Sequence, residues 1–181
     1  MLDRDGVLNE ATVDDSGARS PRTLDEFVVV PDAPRCVHQL HDAGFVVLVA
    51  TNQPDVARNR LNRAVLEQMH ALLTEDVGVD RIYTCPHDNQ DGCSCRKPET
   101  GLLVRAIAEY DLNVSNCWLI GDRWVDLLAA RRAGLRSVLL ERDYSWHGTS
   151  AGQPPTWLTA PATARTLAGC VDIVLAAHAG G

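Results

Sequence analysis

The sequence predicts an α/β protein built on one Rossmann-like parallel sheet with helices on both faces. Two features of the chain lead there. Short apolar runs of strand length recur at 45–50 (FVVLVA), 117–121 (CWLIG), 137–140 (SVLL) and 171–174 (VDIV). Stretches of roughly 10 to 15 residues with helical spacing separate them, which is the alternation of a parallel sheet. A third observation concerns chemistry. Polar residues follow the runs directly, at the carboxyl ends of strands, where open α/β sheets bind their ligands.

The elements follow in chain order. A helix near 34–43 ends at Gly44, and the valine-rich run 45–50 reads as a buried parallel strand. In RLNRAVLEQMHALLTEDVG, Leu61, Val65, Met69 and Leu72 recur at helical spacing and Gly78 follows the last turn. In KPETGLLVRAIAEY, Pro98 suits a first helical position, and Leu103, Ile107 and Tyr110 share a face. Strands at 117–121, 137–140 and 171–174 complete the sheet. Segment 144–163 is rich in Gly, Pro, Ser and Thr and reads as a surface loop before the last strand, and the closing AAHAGG reads as a fraying end.

With 181 residues, 45% of them hydrophobic, the chain can bury one core and reads as a single domain over 1–181 without a large cap domain. A formal net charge of −7 excludes a general nucleic-acid or membrane-surface binder, since either calls for a basic face. An anionic substrate must then be met by local cations. No apolar run is long enough to span a bilayer and no export signal opens the chain, so the expected compartment is the cytoplasm. Of the 6 cysteines, Cys85, Cys93 and Cys95 fall close together around His87, which points to a metal rather than to disulfides.

Three polar pieces fall at strand ends: Asp3 and Asp5 in MLDRDG, Thr51 and Asn52 after FVVLVA, and Gly121 and Asp122 after CWLI. They suggest phosphoryl transfer through a carboxylate nucleophile. An aspartate attacking phosphorus brings anion to anion, so a cation must lie between them. Asp3 and Asp122 offer the hard oxygen ligands that Mg²⁺ prefers. Asp5, two positions on from Asp3, could protonate the leaving oxygen and later activate water. Thr51 and Asn52 would donate to phosphate oxygens, and Lys97 would neutralise charge growing in the transition state. Gly6 lets the chain turn away from the site. The second constellation, CPHDNQDGCSC, has the spacing C-x-H-x₅-C-x-C: Cys85, His87, Cys93 and Cys95 supply three thiols and one imidazole, a full tetrahedral set for a structural Zn²⁺. Cys36, Cys117 and Cys170 read as small core residues.

The motifs DRDGVLN, TNQ, CPH…CSCRKP and IGDRWVD stand in the order of the four motifs of the haloacid dehalogenase-like phosphatases. The chain resembles in particular the capless, zinc-loop subgroup that includes heptose 1,7-bisphosphate 7-phosphatases and histidinol-phosphatase domains, over about 1–140. That resemblance implies Asp3 as nucleophile and Asp5 as acid/base, with Thr51 and Asn52 as the second motif and Lys97 as the third. It also implies a Mg²⁺ held by Asp3, Asp122 and the backbone carbonyl of Asp5, with Asp126 as a supporting carboxylate and Arg96 on the substrate. The subgroup usually carries four or five apolar residues before the first aspartate where this sequence has Met1 and Leu2, so the first strand is expected to be truncated before residue 3.

The implied activity is phosphate removal from a small sugar bisphosphate by a monomer, with no nucleic acid or membrane partner. Histidinol phosphate is the alternative substrate, and a zinc-stabilised binding module is the alternative outside enzymology. Arg19, Arg22 and Arg58 are the expected contacts for a distal phosphate, with Arg58 also offsetting the charge of Asp55.

Overall fold

The computed structural model describes residues 1–14 and 17–180. Its elements run β1 (Thr12–Asp14), β2 (Gly17–Arg19), α1 (Ala33–Asp42), β3 (Leu48–Asn52), α2 (Pro54–Ala57), α3 (Arg63–Leu72), β4 (Arg81–Cys85), α4 (Gly101–Glu109), β5 (Trp118–Gly121), α5 (Trp124–Ala133), β6 (Arg136–Leu140), β7 (Thr163–Ala164) and α6 (Leu167–Ala179). β1 and β2 form a small antiparallel hairpin. The main sheet is parallel, with β3 paired to β4 and β5 to β6 and then β7. Leu2 joins its two halves by bridging Val49 on one side and Ile120 on the other.

The strands sort their side chains by alternation. Val47, Val49, Ile120, Val138 and Leu140 face one layer, where α1 contributes Cys36, Val37 and Leu40, α3 Leu66 and Met69, and α6 Cys170, Val171 and Val174. Leu48, Ala50, Tyr83 and Leu119 face the other, against Leu102, Leu103 and Ala106 of α4 and Ala129 and Ala130 of α5. Burial on both faces explains why these strands are nearly continuous apolar runs rather than alternating ones.

Several boundaries differ from the sequence reading. The run 171–174 lies inside α6 and is not a strand: Leu167, Cys170, Val171 and Val174 are its buried face, and the Thr166 side chain caps it by accepting from the Gly169 N–H. Four apolar residues carry no period of their own, and the flanking spacing decides for helix. On α3 the buried residues are Leu66 and Met69, and the stripe continues to Leu73, which leaves Leu72 off the buried face at 37% exposure. α4 begins at Gly101 rather than at Pro98, after a turn in which Glu99 N–H donates to Arg96 O. Strand β4, with Tyr83 and Cys85, went unread; its five residues RIYTC are too short and mixed to stand out.

β3 starts at Leu48 rather than Phe45 for a reason visible beneath Leu2. Leu2 N–H donates to Leu48 O and Ala50 N–H to Leu2 O, while Asp3 N–H donates to Ile120 O. Below that level the Met1 ammonium donates to Trp118 O at 2.7 Å, and its burial pulls the pKa down to about 6. A cavity of about 260 Å³, lined by Phe45, Leu48, Trp118 and Val174 among others, separates the lower halves of β3 and β5. Phe45 and Val46 therefore meet no strand there. Val47 donates instead to the Asp80 carboxylate at 2.7 Å.

Segment 144–163 is less of a surface loop than its composition suggests. Leu158 is buried in a third apolar cluster with Trp124, Leu127, Leu128 and Leu139, and Trp146 packs against it. The segment ends by adding β7 to the sheet edge.

Candidate active site

Asp3, Asp5, Thr51, Asn52 and Asp122 meet at the carboxyl edge of the sheet, as their positions after strands require, and Lys97 reaches in from the other side. The Lys97 ammonium, on a residue only 2% exposed, donates to Asp3 Oδ1 at 2.8 Å and lies 2.6 Å from Asp126 Oδ1. Burial would depress its pKa, but the carboxylates of Asp126 and Asp3 outweigh that and hold it above the ordinary lysine value. Burial pushes Asp3 up to about 6, against the pull of Lys97 and with help from Asp126 and Asp5. One ammonium thus faces more negative charge than it can neutralise.

That excess charge is the test of whether a cation fits. Asp3, Asp122 and Asp126 present carboxylate oxygens that all lie within 4.8 Å of one another. Asp122 is buried, and its pKa is raised by burial and then by Asp3 and Asp126, while its Oδ1 accepts no hydrogen bond. A buried carboxylate oxygen without a donor is costly unless a cation meets it. Asp126 is already engaged, by Lys97 and by the Arg123 N–H at 3.1 Å, which fits a supporting place beside Asp3 and Asp122. Gly6, at φ 83°, permits the close packing. A Cβ there would come within 2.1 Å of Asp122 Oδ2. A Cβ at Gly121 would meet the Asp126 side chain at 2.3 Å.

Asp5 is held differently. Its Oδ1 accepts from Arg4 Nη2 at 2.6 Å, Arg4 Nε at 3.0 Å and Asn9 Nδ2 at 3.0 Å, and its Oδ2 accepts from Ser20 Oγ and Gln53 Nε2, both at 2.7 Å. Burial alone would raise its pKa; the Arg4 charge and these hydrogen bonds reverse the sign and lower it. Arg4 is fully buried beneath Phe27 and points its third nitrogen, Nη1, at His70 Nε2, 3.4 Å away. Burial, and then the Arg4 charge, bring His70 down to about 4 from 6.5. The unfolded chain binds a proton at His70 below pH 6.5 that the folded chain refuses until about pH 4. Its contribution to stability is therefore complete above pH 6.5 and is lost on acidification through that window, by up to about 1.4 kcal/mol per pH unit. His70→Gln should flatten the melting temperature against pH between 6.5 and 4. A slope unchanged from the parent would refute this assignment.

Four predicted residues do other work than expected. Asn52 spends its amide on the backbone of Lys97, donating from Nδ2 to Lys97 O at 2.9 Å and accepting from Lys97 N–H at 3.0 Å. It aims the lysine instead of presenting a free donor. Arg58 is clamped by Asp88, with contacts of 2.6 and 2.7 Å, and also approaches Asp55. Arg22 pairs with Asp55 at 2.6 Å, and Arg19 with Glu26 at 2.9 Å. All three arginines line the pocket already neutralised. Among the described residues, the Arg96 and Arg123 guanidinium groups by contrast hydrogen-bond only neutral acceptors: Arg96 bonds Asn89 Oδ1, His87 O and Ser150 Oγ, and Arg123 bonds Ala18 O. Gln53, which donates to both Asp5 and Thr51, and Arg123 were missed; TNQ and GDR placed them beside read motifs, but their partners are remote in sequence.

Cys85, at the end of β4, meets His87, Cys93 and Cys95 in a second cluster. The three sulfurs are 3.2 to 3.6 Å apart, and His87 Nδ1 is 3.6 Å from Cys85 Sγ and 3.2 Å from Cys95 Sγ. Thiolates at the usual Zn–S length of about 2.3 Å in a tetrahedron stand about 3.8 Å apart, so a small expansion admits Zn²⁺. All four ligand positions come from the protein, and Arg96 and Lys97 follow at once.

The chain matches a family model described as HAD-hydrolase-like over residues 94–160. It is 41% identical to a D-glycero-beta-D-manno-heptose-1,7-bisphosphate 7-phosphatase of Pseudomonas aeruginosa, over 78% of this chain and 79% of that protein. A protein of the same description from Pseudomonas putida is 42% identical, over 87% and 90%. Among solved structures, the D,D-heptose 1,7-bisphosphate phosphatase of B. bronchiseptica, complexed with magnesium and phosphate, superposes with a TM-score of 0.81 at 30% identity, covering 97% of each chain.

Proposed function

This chain belongs to the haloacid dehalogenase-like phosphatases, and from that membership we propose that it removes the 7-phosphate of D-glycero-D-manno-heptose 1,7-bisphosphate, leaving the heptose 1-phosphate. The observation that carries the reading is the pairing of a carboxylate centre at Asp3 and Asp122 with two guanidinium groups, Arg96 and Arg123, that line the same pocket and form no ion pair with a carboxylate of the described residues.

A Mg²⁺ held by Asp3, Asp122 and the Asp5 carbonyl would screen the approach of one anion to another and draw off charge from the phosphate oxygens. An Asp3 carboxylate oxygen attacks phosphorus, and the bond from phosphorus to the sugar O7 breaks. Lys97, fixed by Asn52 and charged through Asp3 and Asp126, stabilises the equatorial oxygens as charge grows. Thr51 lies beside Asp5 through Gln53 and can orient the phosphate with its hydroxyl. Asp5 protonates O7 as it leaves. Its Oδ2, held by the neutral donors Ser20 and Gln53, is the oxygen to release, since Oδ1 is bound to the Arg4 charge. The incoming phosphate anion favours the protonated form there. Asp5 then takes a proton from the water that attacks the aspartyl-phosphate, which frees Asp3 and inorganic phosphate.

The second phosphate decides between the two substrates. Arg96 and Arg123 suit a distal anion and repel the ammonium of histidinol phosphate. The carboxylates near the mouth, Asp55 and Asp88, are occupied by Arg22 and Arg58 and offer that ammonium little. With Mg²⁺ present, kcat/KM for the heptose bisphosphate should exceed that for histidinol phosphate by at least about 10²-fold, and Arg123→Ala should narrow the gap by raising KM for the bisphosphate alone. Equal turnover of the two would point to histidinol phosphate or a broader substrate range. No helix among the described residues is long and apolar enough to cross a membrane. A zinc site of Cys85, Cys93 and Cys95 needs reduced thiols, which supports a cytoplasmic site of action.

A further inference from the structure

The turn that follows β6, Arg142 to His147, presses against Asp122 from below. Ser145 is fully buried; its hydroxyl donates to Asp122 O at 2.6 Å and accepts from the Arg142 N–H at 2.8 Å. The same residue's carbonyl receives the Trp124 N–H at 3.0 Å, and Trp124 Nε1 donates to His147 O at 3.0 Å. Arg142 Nη2 donates to Gly6 O at 3.1 Å, which ties the turn to the segment carrying Asp3 and Asp5. The Tyr144 hydroxyl lies against the Asp122 carboxylate, close enough for the two groups to affect each other's titration. Asp122 Oδ1 has no hydrogen-bond partner, whereas Oδ2 and the Tyr144 hydroxyl crowd the same face of Gly6, which makes Oδ2 the oxygen within that hydroxyl's reach.

We propose that Tyr144 and Ser145 are positioning residues for the metal-binding carboxylate: Ser145 fixes the Asp122 backbone, and Tyr144 fixes the rotation of its side chain so that Oδ1 stays turned toward the cation. A carboxylate with one free oxygen could rotate and offer either; a donor on Oδ2 removes that choice before the cation arrives. Partners of this kind, which touch a ligand without touching the metal, govern metal affinity. The inference rests on Asp122 being a Mg²⁺ ligand, as read above.

The test is calorimetric titration of Mg²⁺ into zinc-loaded protein, comparing the parent with Tyr144→Phe and Ser145→Ala, together with melting temperatures measured without Mg²⁺. Tyr144→Phe keeps the ring and its packing under Arg123, so it should melt close to the parent. Each variant should bind Mg²⁺ about tenfold more weakly, and Tyr144→Phe should need correspondingly more Mg²⁺ for half-maximal turnover while approaching the parental kcat at saturation. Mg²⁺ affinities within twofold of the parent in both variants, whatever their melting temperatures, would overturn the proposal. A parent that binds no Mg²⁺ would instead overturn the reading of the carboxylate centre beneath it.

Discussion

Asp3→Asn is expected to abolish phosphate release, by at least about 10⁴-fold in kcat, without unfolding the protein. An amide cannot form the aspartyl-phosphate, and in the proposed mechanism the other carboxylates do not replace it: Asp122 would hold the cation, Asp126 is paired with Lys97, and Asp5 is bound to Arg4. The variant should melt no lower than the parent in the absence of Mg²⁺, and slightly higher if anything. Asp3 sits among like charges and its pKa is pushed up to about 6, so removing its charge relieves repulsion that folding had to accept. Lys97 keeps Asp126 as a partner. Loss of activity with retained or increased stability is the mark of a residue kept for chemistry at a cost to the fold. A variant that stays active would remove Asp3 from the mechanism.

Zinc removal should produce the second large effect, and on both properties at once. The loop 85–96 has little apolar core of its own; besides the four ligands it is held by Asp88 on Arg58 and by Arg96 on Asn89. Releasing the ion leaves three thiols and an imidazole crowded together without the charge that joins them. Cys85, Cys93 and Cys95 border one face of the α/β core and the rest of the core lies outside that loop, so the chain should remain folded but melt about 10 °C lower, equivalent to about 3 kcal/mol in a domain of this size. Turnover should fall at least about 10²-fold, since Lys97 loses the anchored segment that delivers it to Asp3. Returning Mg²⁺ alone to chelated protein should restore little; returning Zn²⁺ as well should restore both properties. Full activity in zinc-free protein with Mg²⁺ would contradict the structural role.

The parts of this molecule legible in the sequence are those in which chemistry and proximity along the chain coincide. Asp3 and Asp5 lie two residues apart, and Cys85, His87, Cys93 and Cys95 lie within one loop, so composition and spacing suffice to draw them together. Strands β3, β5 and β6 were legible because both faces are covered, which fills them with Val, Leu and Ile, whereas the mixed RIYTC of β4 was not. What could not be read depends on remote partners. Arg58 looks like a free cation until Asp88, thirty residues on, takes it up, and Arg22 looks free until Asp55 does. The run 171–174 satisfies strand and helix alike until its flanks are seen packed against α1. Tyr144 and Ser145 were hidden by their neighbours, because a stretch of Gly, Pro, Ser and Thr reads as loop whether or not its residues pack against Asp122, as Tyr144 and the buried Ser145 do. The reading as a mere binding module fails on the relatives, which are named phosphatases, and on a set of carboxylates and lysine assembled in one pocket.

The measurement closest to the central claim is to quench the enzyme during turnover of heptose 1,7-bisphosphate with Mg²⁺, reduce it with borohydride and map the modified residue by mass spectrometry. Reduction converts an acyl-phosphate of aspartate to homoserine, so the account predicts homoserine at position 3 and at no other carboxylate. Steady turnover with no modification at Asp3, or with modification at Asp5 or Asp122, would contradict it.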